Sequence, residues 1–527
     1  MPHPSITAET YPHKAAIIMG ESGEIVTYKQ LDERSNQGAQ LFRSLGLKSG
    51  DHIGMMMENN REFLEIVWAG QRSGLIFTPL SAHMSKEETA YILQNCGAKL
   101  FIGSLKLAGV AEQVLSEATG VEHFYMVGGI KPGFESWEEA TDAQPTTRID
   151  DESNGVPMVY SSGTTGQPKG VFVPPASTDV NTPPPLVDSM GAAFGFSDET
   201  VYLSPAPLYH AAPLHYNMMV TYQGGTTVVM EQFAPEQALK LIEEHRVTHS
   251  QWVPIMFIRM LKLPREVRDA YDVSSMQFAI HATAPCPVEI KERMIKWWGE
   301  VIVEYYTASE GIGVTIIDSA SWLTHKGSVG PVLVGEIHIV DDDGNEVPQG
   351  ETGTIYFGGE QAAFKYHGEP EKTAGAYNDK GWATTGDVGY VDEEGFVYLT
   401  DRKNFMIISD GVNIYPQEIE NILTSHDKVA DVAVFGVPHE EFGEQVKVVV
   451  QPMNWADATD ETAIEIMEWL RERISHIKMP RSLDFHPELP RMDDGKLYKR
   501  RLMEEYRGGA RGDEGPGSEE EGPEDKQ

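Results

Sequence analysis

The stretch Tyr160–Gly170, Y-S-S-G-T-T-G-Q-P-K-G, carries the residue types that hold a polyanion. Gly163 and Gly166 let backbone N–H groups come close to anionic oxygens. Ser161, Ser162, Thr164 and Thr165 offer hydroxyl donors, and Lys169 adds a point charge. It is not a Walker A loop, which needs Gly-Lys-Ser/Thr after four spacers; here Pro168 precedes Lys169 and Gly170 follows it. Taken alone, the same string also reads as a Ser/Thr/Gly surface loop between two strands.

Five more strings follow in chain order: P-A-P-L-Y-H-A-A-P around Tyr209 and His210, H-A-T-A-P at His281–Pro285, E-Y-Y-T-A-S-E-G at Glu304–Gly311, T-T-G-D at Thr384–Asp387 with Asp401–Arg402 beyond it, and L-P-R-M-D-D-G-K-L-Y-K-R-R-L at Leu489–Leu502. Each alone has a plain structural reading: a core histidine, a turn before a helix, a solvated strand end, a Gly-Asp turn, a basic turn among acidic neighbours. Together, from about Tyr11 to Tyr506, they resemble the adenylate-forming enzymes: acyl- and aryl-CoA synthetases, luciferase and peptide-synthetase adenylation domains.

That resemblance implies roles residue by residue. The Ser161–Lys169 loop wraps the phosphates of ATP, with Thr164 among the catalytic groups. Ala282, Thr283, Ala284 and Pro285 form the adenine turn, and Tyr306 stacks beside the purine. Ser309 hydrogen-bonds a phosphate oxygen, and Glu310 holds the Mg²⁺ that bridges the phosphates. Asp387 accepts both ribose hydroxyls and Arg402 reaches the ribose. Asn404 stands at the pivot, where relatives often have Asp or Lys, and Gly411 lines the pantetheine tunnel of coenzyme A. Lys496 bridges the substrate carboxylate and the α-phosphate where negative charge accumulates. His210 either sits against the carboxylate, gates the acyl pocket, or is a satisfied core side chain. Thr307 replaces the family's usual glycine and is expected to narrow the acyl pocket, while Ser309 in place of threonine keeps the hydroxyl.

The implied reaction joins a small-molecule carboxylic acid to AMP, expelling pyrophosphate, and then passes the acyl group to coenzyme A. Transfer to a carrier protein is the near alternative, and a non-catalytic nucleotide-binding protein on the same fold a more distant one. Tyr209–Asn217, Trp252–Met256, His281 and Tyr305–Gly313 are expected to line the acyl pocket. They contain no lysine or arginine for a second carboxylate, which favours an apolar fatty, aryl-alkanoic or sterol side-chain acid. The likeness in H-A-T-A-P-C-P-V-E-I-K and Y-L-T-D-R-K is to bacterial ligases of the fatty-acid or bile-acid type.

Positioning such residues needs mixed α/β layers: a large N-terminal domain over 1–400, a hinge at 401–404, a small mobile α+β domain over 405–506, and a disordered acidic tail over 507–527. Strands are predicted at Ala15–Met19, His52–Met57 and Leu75–Pro79, and helices at Leu31–Leu45, Arg61–Ser73 and Ser85–Asn95, the last opened by a Ser85/Glu88 capping box. Pro174–Pro185 reads as a surface excursion. Val429–Val437 and Glu444–Gln451 read as strands and Ala463–Ser475 as an amphipathic helix. A net charge of −38 excludes a nucleic-acid partner and fits a heavily solvated surface. No apolar run nears the roughly 18 residues of a membrane span, and no secretory signal is read. Two cysteines give no disulfide framework, so a reducing cytoplasm is expected. A homodimer is left open.

Overall fold

Thr27 and Ser85 each begin a helix in the same way. In both, the cap hydroxyl accepts from the third helical N–H while that residue's side chain returns to the cap backbone: Gln30 for Tyr28–Ser44 and Glu88 for Lys86–Cys96. The first of these helices starts three residues before the predicted Leu31, because the Thr27–Gln30 box lies upstream of its apolar stripe. We describe residues 3–161, 168–182, 185–359, 364–402, 405–409, 412–439, 443–491 and 497–507 from a computed structural model of the chain. The predicted early elements are present as strands Ala15–Met19, His52–Met56 and Ile76–Leu80 and helix Glu62–Arg72.

The chain divides into two compact units, the second taking over at Phe405. The larger unit holds two parallel sheets. The six-stranded one, ordered Glu135–Ser136, His123–Val127, Ala98–Ser104, His52–Met56, Ile76–Leu80 and Val156–Pro157, is parallel throughout. In the nine-stranded one, Ile302–Thr307, Phe278–His281, His249–Trp252, Val201–Ser204, Thr226–Val229 and Ala15–Met19 run parallel, with antiparallel strands at both edges. Such central strands are buried on both faces, so polar His249, Ser250 and Gln251 are enclosed along with the apolar residues. On one face Trp252, Phe257, Met294 and Trp298 pack together; on the other lie Phe194, Tyr202, Tyr216 and Tyr305.

Two smaller sheets complete this unit. Val159–Ser161, Lys169–Phe172 and Lys365–Tyr366 form a three-stranded sheet, and an antiparallel five-stranded sheet runs from Ser328–Gly330 to Glu336–Val340. The excursion over Pro174–Pro185 is partly anchored: Val180 is buried, its carbonyl accepts the Tyr222 hydroxyl at 2.5 Å, and a helix begins at Pro185.

In the second unit, Val429–His439 pairs with Gly443–Pro452, and Ser482–Phe485 adds a parallel strand. Helices Pro416–Leu423 and Asp460–Arg471 bury Ile419, Leu423, Ile466 and Leu470 with the valines of those strands. The predicted acidic tail, apart from Arg507, lies outside the described residues.

Candidate functional site

The ends of the phosphate-loop string belong to a hairpin. Val159–Ser161 and Lys169–Phe172 pair antiparallel with Ser161 opposite Lys169, and Val171 faces Tyr366 on the third strand. The backbone is tight here: a Cβ on Gly170 would meet Tyr160 Cζ at 2.9 Å, and that ring is held by its hydroxyl donating to Asn95 Oδ1 at 2.6 Å. The third strand brings Tyr366 under the lysine, with Lys169 Nζ 4.8 Å from the ring centroid, a cation–π contact. The Tyr366 hydroxyl donates to Glu310 Oε1 at 2.8 Å, and Glu310 is only 7 % exposed. One phenol therefore joins the loop's cation to a buried carboxylate.

A second group joins the five-stranded sheet to the nine-stranded one. Tyr306, near the end of strand Ile302–Thr307, donates to Asp387 Oδ2 at 2.8 Å, and the Thr385 hydroxyl reaches the same oxygen at 2.9 Å. Asp387 and Arg402 are direct cross-strand partners, so their fifteen-residue separation in sequence closes to a single ladder position. The Thr307 hydroxyl donates to the Gly313 carbonyl at 2.7 Å, which closes the intervening turn. Ser309 in that turn is exposed.

The third group follows strand Phe278–His281. Ala282 is buried, Ala284 half-buried, and Thr283 and Pro285 exposed. Thr283 has φ of +81°, a backbone state that a β-branched residue adopts only under strain. This turn lies at the carboxyl ends of parallel strands, where open α/β sheets take their ligands.

His210 stands at the N-terminal boundary of helix Ala211–Tyr222, its ring centroid 4.6 Å from that of Tyr209. Ser162, Gly163, Thr164, Thr165, Gly166, Asn404, Gly411 and Lys496 fall outside the described residues, and Arg402 is described through its backbone alone.

The expected pocket lining is not a single wall. His281 is fully buried with its ring 5.5 Å from Phe257, on the face that also holds Trp252 and Met256. Tyr216 and Tyr305 are on the opposite face of the sheet. The alternation of Ala279, Ile280 and His281 along one strand puts His281 behind the sheet from the tyrosines. Neither His281 nitrogen closes a hydrogen bond, and Glu304 Oε2, 3.7 Å away, takes Lys291 Nζ at 2.6 Å. Burial, with Lys291 nearby, holds the imidazole well below the ordinary histidine range and so neutral.

Tyr366 and Thr385 were not marked by the sequence. An aromatic in a short F-K-Y-H segment and a threonine before Gly-Asp have no distinctive spacing; only the long-range strand pairing gives Tyr366 its place.

These groups sit on a scaffold shared with known proteins. The AMP-binding enzyme family profile matches residues 5–367, and the AMP-binding enzyme C-terminal domain profile matches 418–496. The chain belongs to the AMP-binding enzymes. It is 33% identical over 495 residues to a feruloyl-CoA synthase of Amycolatopsis sp, covering 93% of this chain and 96% of that one. It is also 28% identical over 508 residues to a long-chain-fatty-acid–CoA ligase of Mycobacterium tuberculosis, covering 95% and 97%. Among solved structures, ATP-bound MatB from Rhodopseudomonas palustris superposes with a TM-score of 0.78 at 26% identity, over 96% of this chain and 99% of that one. Among the described residues no helix is long and apolar enough to cross a membrane.

Proposed function

We propose that this AMP-binding enzyme is an AMP-forming acid–CoA ligase. The carboxylate of its substrate attacks the α-phosphate of ATP and expels pyrophosphate, giving an acyl-adenylate. The thiol of coenzyme A then displaces AMP and the product is an acyl-CoA. The observation that carries this reading is the Tyr366 bridge between Lys169 and Glu310, beside the Tyr306–Asp387 pair. A cation and a buried carboxylate that share one phenol, together with a carboxylate oriented by two hydroxyls, suit the phosphates and the ribose of a nucleoside triphosphate.

In this reading Lys169 and the loop hydroxyls hold the phosphates, Asp387 and Arg402 hold the ribose, and the Ala282–Pro285 turn and Tyr306 flank the adenine. Glu310, a buried acceptor, would hold a Mg²⁺ whose remaining ligands come from phosphate oxygens. The metal's contribution, when bound, is to neutralise phosphate charge. His210, at the head of its helix, faces the acid. The second unit, turning at Asn404, alternately brings Lys496 to the α-phosphate and Gly411 to coenzyme A. Both substrates are cytoplasmic metabolites, and free Cys96 and Cys286 accord with that compartment. The relatives are named for feruloyl, long-chain fatty acyl and crotonobetaine or carnitine groups, so they support the reaction and leave the acid open.

The test is to separate the half-reactions in Lys496→Ala. Acid-dependent pyrophosphate release should fall by at least about a hundredfold, while transfer from supplied acyl-adenylate to coenzyme A survives. Equal loss of both steps contradicts the assignment of Lys496. Acid-dependent pyrophosphate release without any coenzyme A-dependent product points to a carrier-protein acceptor.

A further inference from the structure

Residues 57–61, M-E-N-N-R, leave the strand His52–Met56 with two asparagines in a row. Asn60 has a local task, its Oδ1 accepting the Phe63 N–H at 3.0 Å at the start of the next helix. Asn59 reaches much further. It is 5 % exposed, and its Nδ2 donates to the Met230 carbonyl at 2.7 Å and to the Ala206 carbonyl at 3.2 Å. Its Oδ1 accepts the Leu208 N–H at 2.7 Å. Two carbonyls and one N–H leave this amide a single orientation.

Each partner lies just beyond a strand of the nine-stranded sheet. Ala206 and Leu208 follow Val201–Ser204, and Met230 follows its parallel neighbour Thr226–Val229. One side chain from the six-stranded sheet therefore ties together the carboxyl ends of two strands of the other, the end at which open α/β sheets take their ligands. The tie falls where the backbone needs it. Pro205 and Pro207 bring no N–H to the segment between Ser204 and His210, so that segment cannot continue the ladder and its buried polar groups need other partners. Leu208 is fully buried, and the His210 N–H closes a turn onto the Pro207 carbonyl at 3.2 Å. Asn59 thus fixes the backbone immediately ahead of Tyr209 and His210, and its loss would strand two carbonyls and an N–H.

We propose that Asn59 is a positioning residue for the acid: by holding Ala206 and Leu208 it sets where His210 meets the substrate carboxylate, and it acts on the reaction through that histidine. This rests on the ligase reading and on the place that reading gives His210, and it adds a residue from a different sheet to the support of the acid site. Displacing a group that orients a substrate costs catalysis without any change in the reacting groups themselves.

The experiment first screens acetic, decanoic, 3-phenylpropenoic and cholic acids for acid-dependent pyrophosphate release by the full chain, and takes the best of them forward. Steady-state constants are then measured in wild type, Asn59→Ala, Asn59→Ser, His210→Ala and the double variant Asn59→Ala/His210→Ala. The KM for the acid should rise about tenfold or more in Asn59→Ala and in His210→Ala, with the KM for ATP changed by no more than about twofold. The double variant should be no worse than the poorer single one, because both remove the same interaction. Asn59→Ser, which keeps a donor and an acceptor at the position, carries the same comparison where Asn59→Ala folds poorly. A merely structural role would lower the melting temperature and move both KM values together. That result, additive losses in the double variant, or an unchanged acid KM in His210→Ala overturns the inference and leaves the ligase reading standing. Failure of all four acids to release pyrophosphate overturns the ligase reading and this inference with it.

Discussion

Tyr306 and Thr385 both direct their hydroxyls to Asp387 Oδ2, so the carboxylate is oriented before any nucleotide arrives. Removing one of these hydrogen bonds to an acceptor of this kind costs about 1.5–3 kcal/mol where the acceptor is charged. In Tyr306→Phe the KM for ATP should rise about tenfold with a smaller change in kcat, measurable in steady-state pyrophosphate release; an unchanged KM would remove Tyr306 from the nucleotide site. His281 yields a pH prediction. Its folded pKa lies well below the ordinary value of 6.5. The stability tied to its neutral form is therefore complete above about pH 6.5 and is lost as pH falls, by up to about 1.4 kcal/mol per pH unit. The gap in melting temperature between about pH 7.5 and 5.5 should be smaller in His281→Gln than in the wild type. An equal gap means the imidazole does not resist protonation in the fold. At this scale the sequence marked Lys169, Glu310, Tyr306 and Asp387 by residue type and order. Which neighbour each would touch was not legible, because Tyr366 meets Lys169 and Glu310 only through long-range pairing, the Glu310 contact alone spanning 56 residues of chain.

Elements fared according to how local their signals are. Ala15–Met19 is a strand with the predicted bounds, and Ser85 caps its helix with the expected partner. Both are decided within a few residues of chain. Ser85→Ala removes the acceptor for the Glu88 N–H and should lower stability by about 1 kcal/mol, read as a shift in denaturant midpoint at unchanged slope; no shift would make the cap dispensable. The three-stranded sheet that frames the loop was not legible. Lys365–Tyr366 is two residues long and carries no periodicity, so nothing local announces that it completes the Lys169 strand. Likewise His281 and Tyr305 both stand on strands buried on both faces, and such strands do not declare which side chain faces which layer.

For the whole molecule the dominant quantity is the net charge of −38. Residues 508–527 contain seven acidic and two basic side chains, so most of the excess belongs to the residues before them. Self-repulsion of that size destabilises the compact state and is screened by salt over a Debye length of about 10 Å at 0.1 M. Raising KCl from about 0.05 to 0.5 M should therefore raise the melting temperature, whereas a chain whose acidic groups are evenly offset by nearby cations would not respond. The division of the nine-stranded sheet into a tryptophan side and a tyrosine side separates two kinds of support. The hydrogen bonds to Glu310 and Asp387 come from Tyr366, Tyr306 and Thr385, whereas Tyr202 and Tyr216 pack within one broad aromatic face, so a substitution inside that face removes none of the donors that hold the two carboxylates.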